Sequence, residues 1–127
     1  MSLRLALFHV TARTAKTFEK AVRKQLEAQK SVSMVVRMDH KNRMPDFLVL
    51  LKNGKFFFLE CKNYQTSPHL SAGLGKWMNG QSKQYDAFIK LAKTQPVYVV
   101  MAVGSGTHVV GLYEDSDWGD PLIEEGE

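Results

Sequence analysis

The sequence predicts one α/β domain, three layers deep (α/β/α), around a mixed central β-sheet. Three observations carry that expectation. A helical period opens the chain, with Phe18, Val22 and Leu26 on one stripe. Two apolar runs flank Asn53-Gly54, the pattern of an antiparallel hairpin. Later, Val97-Tyr98-Val99-Val100-Met101-Ala102-Val103 is apolar without alternation, as in a strand covered on both faces. At 127 residues the chain can hold one domain with one core but not two.

The elements follow in order. Residues 14–30 read as the amphipathic helix, and 32–38 as the first strand of the core. The polar stretch 39–43 comes next, where His40, Lys41 and Arg43 stand just before Asp46. Such residues suit a phosphate backbone, although His40 reads first as an ordinary loop histidine. Residues 46–51 and 55–62 form the hairpin, with Asn53-Gly54 as a two-residue turn of positive φ. Residues 63–80 contain Pro68, Gly73, Gly75 and Gly80 and show no clear period. They read as a long loop leaving the sheet beside Lys62, placed to clamp nucleic acid. Trp77 within it either stacks on a base or packs at the approach to a helix. A second helix over 81–93 carries Gln81, Tyr85, Phe88 and Ala92 on one face, and Pro96 stops it. After the Val97 strand, Gly104-Ser105-Gly106 turns the chain into 109–113, expected as an edge strand. From Asp115 the composition is acidic and loop-like, which predicts a flexible tail over 114–127 behind a domain over 1–113.

Charge divides along the same boundary. The formal net charge is +4, yet residues 1–113 hold all seventeen Lys and Arg and only six acids, a net of +11. The last fourteen residues hold the other seven acids, a net of −7. So basic a body suits a polyanion, although a solvated basic surface is also common.

The chemistry concentrates in the hairpin. Pro45-Asp46 opens the first strand, and Glu60-Cys61-Lys62 closes the second. Glu60 and Lys62 are two apart and share a face, while Cys61 points the other way and reads as a small core residue. Folding the hairpin brings Asp46 beside them. Two carboxylates and an ammonium at one end of an apolar sheet can hold Mg²⁺ and activate water against a phosphodiester. The plain alternative is a surface ion pair at a strand end. Phe56 and Phe58 share Glu60's face, so the carboxylate sits at an apolar margin where a bare charge is costly.

Pro45, Asp46, Glu60 and Lys62 fill every signature position of the PD-(D/E)xK nuclease superfamily, and the chain resembles it over roughly residues 14–113. The resemblance implies the restriction-endonuclease-like core, αβββαβ. It implies Mg²⁺ or Mn²⁺ held by Asp46 and Glu60, with the carbonyl of Cys61 as a further ligand and Lys62 positioning the attacking water. Many members, junction resolvases among them, complete the metal site from the first helix. Glu19 is the positional match here, or else a solvated helix glutamate. Gln81 and Tyr85 match the QxxxY motif of RecB-like domains, where it assists the active site. Ser82-Lys83-Gln84 fits the VRR-NUC pattern loosely. Lys41, Arg43, Lys76 and Lys83 are the candidate nucleic-acid-binding cations. The implied activity is a metal-dependent deoxyribonuclease, structure-selective and endonucleolytic, with RNA left open as a substrate and a homodimer expected. Two other readings stand beside it: a nucleic-acid-binding module without catalysis, and the nuclease subunit of a helicase or restriction complex.

A single cysteine excludes an intramolecular disulfide framework and fits a reducing compartment, cytoplasmic or nucleoid-associated. No apolar stretch approaches membrane-spanning length. The first eighteen residues lack acids, as a transit peptide would, but they lead directly into the first helix and read as part of the fold.

Overall fold

The computed structural model describes residues 15–38, 43–114 and 117–119. It is a mixed α/β fold, as the sequence predicts. Its elements are α1 (Ala15–Glu27), β1 (Val32–Arg37), β2 (Phe47–Leu51), β3 (Phe56–Asn63), α2 (Leu70–Gly80), α3 (Ser82–Ala92), β4 (Val97–Val103), β5 (Gly106–Glu114) and β6 (Asp117–Gly119). The strands lie in one sheet in sequence order. Only β3 and β4 run parallel, because α2 and α3 carry the chain back between them; the other neighbours are antiparallel.

Strand periodicity explains the two cores. Along β4, Val97, Val99, Met101 and Val103 join a cluster with Leu74, Trp77, Phe88 and Ile89 of α2 and α3. The intervening Tyr98, Val100 and Ala102 join Phe18, Val22 and Leu26 of α1. Every β4 residue is therefore buried, which is why its sequence does not alternate. The three α1 residues are fully buried and account for that helix's period.

Four expectations need correction. Residues 63–80 are a loop only over 64–69: α2 occupies Leu70–Gly80. Its glycines disguise it, since glycine disfavours helices, but packing overrides propensity. His69 caps it, Nδ1 accepting from the N–H of Ala72 at 3.2 Å. Gly73 lets the helix approach β4, where an added Cβ would lie 2.7 Å from Met101 Sδ and 2.8 Å from Val103 Cγ1. Gly73→Ala is accordingly expected to lower the urea midpoint. Overpacking costs about 1–3 kcal/mol, against a gain of at most about 1 kcal/mol in helix propensity.

The hairpin turn is the second correction. It has three residues rather than two: Leu51 N–H donates to Lys55 O at 2.8 Å and Gly54 N–H to Leu51 O at 3.0 Å. Gly54 alone takes positive φ there, at 87°, while Asn53 uses its side chain to accept from Lys55 N–H at 2.9 Å. Third, β5 is not an edge, because β6 pairs with it. Fourth, the tail beyond Glu114 accordingly contains a strand; residues 115–116 and 120–127 lie outside the described residues. No helix among the described residues is long and apolar enough to cross a membrane.

Candidate active site

The β2–β3 register places the site. Phe47 pairs with Leu59, so the next rung outward sets Asp46 against Glu60. Asp46 N–H donates to Glu60 Oε1 at 3.0 Å, and Cys61 N–H donates to Asp46 Oδ2 at 2.8 Å. Each acid thus grips the backbone of the other's strand. Both are buried, Asp46 to 5 % exposure and Glu60 to 3 %. Buried carboxylates require such partners, and charge-assisted bonds to backbone N–H groups are among the stronger ones.

Lys62 completes the cluster. Its Nζ lies 3.1 Å from Glu60 Oε2, donates to Gln81 Oε1 at 2.6 Å, and stands 5.6 Å from the centroid of the Trp77 ring. Gln81 sits at the junction of α2 and α3 and closes α2 by donating its N–H to Trp77 O at 2.9 Å. Trp77 is fully buried and donates from Nε1 to Gln84 Oε1 at 2.8 Å. Tyr85 meets its ring edge-on at 5.3 Å, and Phe88 lies at 5.9 Å. The lysine is held by an acid, an amide and an aromatic face.

Electrostatics mark the pair as unusual. Burial above all, then the charge of Asp46, pushes the Glu60 carboxyl up to about 8, and Lys62 only partly opposes this. The Cys61 thiol is pushed well above its ordinary value by burial, then by Asp46, Glu60 and Glu19. It stays protonated within the α1 core cluster, which suits packing and not nucleophilic attack.

The other predicted residues divide by place. Gln81 joins the cluster directly, whereas Tyr85 packs on Trp77. Glu19 is paired with Arg37 at 3.5 Å, and its charge contributes to the field that raises the Cys61 thiol. Among the described residues no three Asp, Glu, His or Cys side chains form a metal-holding group. Lys76 stands over the Tyr64 ring at 5.5 Å, and burial, then the charge of Glu60, raises the Tyr64 phenol. Arg43 is exposed at φ 53°, Lys83 is exposed on α3, and Lys41 and His40 lie outside the described residues.

The donor set itself fits a hard cation. Mg²⁺ takes oxygen ligands, needs only one or two carboxylates and keeps several waters. Two adjacent buried carboxylates, one of them driven toward protonation by burial and then by the other's charge, gain from a positive charge beside them.

Trp77 packs, as one of its two sequence readings expects, and Gln84 gains a partner that the sequence does not disclose. A fully buried ring offers no face to a base, so Trp77 supports Lys62 instead. The available signal was the spacing Trp77, Gln81, Tyr85, a four-residue period continuing through Gly80. No protein-family model, curated protein or solved structure matches this chain.

Proposed function

We propose that this chain is a metal-dependent nuclease of the PD-(D/E)xK type, hydrolysing phosphodiester bonds in DNA. One observation carries the reading. Asp46, Glu60 and Lys62, the residues of the resemblance, meet at one end of an apolar sheet, each acid bonded to the opposite strand. Asp46 and Glu60 would hold Mg²⁺ or Mn²⁺. When bound, such a cation supplies an acidified water and neutralises charge on the phosphate.

The chain's own residues do the rest. Lys62 sets a fixed positive charge beside the acids, where negative charge grows on the phosphate oxygens. Gln81 takes one of its three N–H donors and leaves the ammonium aimed by the helix junction. Burial of Asp46 and Glu60 strengthens the interactions of the two acids by excluding water. DNA is the partner on this reading, and a homodimer lets two sites cut two strands.

The test uses Mg²⁺ or Mn²⁺ with linear duplex, single-stranded, flap and four-way-junction DNA, and an RNA duplex. Wild type is expected to cleave at least one DNA substrate. Lys62→Ala and Asp46→Ala are each expected to lose at least about a hundredfold in rate, the scale of a deleted oxyanion donor. Tight binding without cleavage in either metal overturns the enzyme and leaves a binding module. Gel filtration of the same samples reads the oligomeric state.

A further inference from the structure

We propose that the outer face of α1 binds the phosphate backbone of duplex DNA along a stripe of Lys16, Lys20 and Lys24, leading away from the candidate active site. The inference rests on the nuclease reading for its choice of polyanion; the charge arrangement stands independently of it.

Phe18, Val22 and Leu26 are fully buried, and the three lysines precede them by two residues each, about 200° around the helix. The lysines therefore lie on the side of the helix away from those three residues, and all three are exposed. Neighbouring cations are compensated: Arg37 pairs with Glu19 at 3.5 Å and Arg23 with Glu27 at 3.6 Å. Lys16, Lys20 and Lys24 make no ion pair among the described residues.

That arrangement opposes the helix that carries it. Like charges four residues apart repel. Lys16 also lies in the first turn, which contains no acid, against the positive end of the helix dipole, whereas Lys24 lies in the last turn, where a cation is favoured. Local rules broken on an exposed face point to a ligand that reverses the balance. A polyanion does so, since each neutralised phosphate releases counterions.

Placement and spacing agree. The cleft that Lys16, Lys20 and Lys24 line also holds the acids Glu19 and Glu27, each paired with an arginine, and it reaches Phe47, which directly follows Asp46. The stripe begins at the carboxylate end of the sheet. Successive lysines are about 6 Å apart along the helix axis. Phosphates of one strand recur about every 3.4 Å along a duplex, so the stripe spans three or four of them.

The experiment is fluorescence anisotropy of a labelled blunt duplex of about 20 base pairs in EDTA, across a salt series. It compares wild type, the triple variant Lys16→Gln/Lys20→Gln/Lys24→Gln, and a control triple, Lys52→Gln/Lys55→Gln/Lys90→Gln, with the same change of charge elsewhere. The α1 variant is expected to bind at least about tenfold more weakly at about 100 mM salt, and its log–log salt slope to be shallower by about 2–3. Its melting temperature is expected to stay close to wild type, because relief of repulsion among the lysines offsets the loss of Lys24 from the last turn. The control is expected to track wild type. An α1 variant whose slope matches wild type or the control overturns the surface, as does a wild type that does not bind. If wild type cleaves DNA while the α1 variant binds normally, only this surface falls. If nothing cleaves yet the slopes still differ, the nuclease reading falls and the surface stands.

Discussion

Glu60→Gln is expected to make the metal-free protein more stable than wild type at about pH 8, and to flatten the dependence of stability on pH. The Glu60 carboxyl titrates near 8 in the fold against 4.5 in the ordinary case, raised by burial and then by Asp46. Across that window the folded state holds a proton that the unfolded chain has released. Stability is therefore fullest below about pH 4.5 and is lost as pH rises through about 8. At about 1.4 kcal/mol per pH unit, the loss is on the order of 3–5 kcal/mol, a large share of a small domain's margin. Glutamine keeps the oxygen that accepts from Asp46 N–H but carries no charge to bury. Urea midpoints in EDTA at about pH 5 and pH 8 check this. Wild type should fall between them and Glu60→Gln should not; equal slopes would refute the account. Adding Mg²⁺ at about pH 8 should raise the wild-type midpoint and leave the variant's nearly unchanged.

Trp77→Ala is expected to cost about 3–5 kcal/mol, the range for truncating a fully buried large aromatic. The ring fills the space between α2, α3 and the β3–β4 pair, against Tyr85, Phe88 and the Lys62 ammonium. Removing it opens a cavity and orphans the oxygen of Gln84 that accepts from Nε1. Trp77→Phe retains an aromatic face and most of the volume, so it should recover more than half of the loss. Thermal or urea unfolding of the two variants decides this. An alanine variant within about 1 kcal/mol of wild type would mean the site collapses freely and does not brace Lys62.

How much could be read in advance depended on whether the cause was local. Phe18, Val22 and Leu26 announce α1 because one stripe faces one core. Val97–Val103 announces β4 because both its faces are covered. The meeting of Asp46 with Glu60 was legible too, since antiparallel pairing converts a spacing of fourteen residues into adjacency. What escaped was set by contacts distant in sequence. Nothing near Gly73 reveals that Met101 and Val103 lie beneath it, so α2 looked like a loop. The choice between a two- and a three-residue turn depends on the twist of the strands it joins, which Asn53-Gly54 does not encode alone. The pairing of Glu19 with Arg37 depends on β1 ending beside α1, and helix position alone does not disclose it. Trp77 could be named as a packing residue, but its place beneath Lys62 required α2.

The two hydrogen bonds that cross the hairpin, from Asp46 N–H and from Cys61 N–H, make the acids parts of the strand ladder and not ornaments upon it. Side chains alternate across a sheet, so a frame error of one residue between β2 and β3 would send one carboxylate to the wrong side. The meeting of the two acids is inherited from the alignment of a single turn.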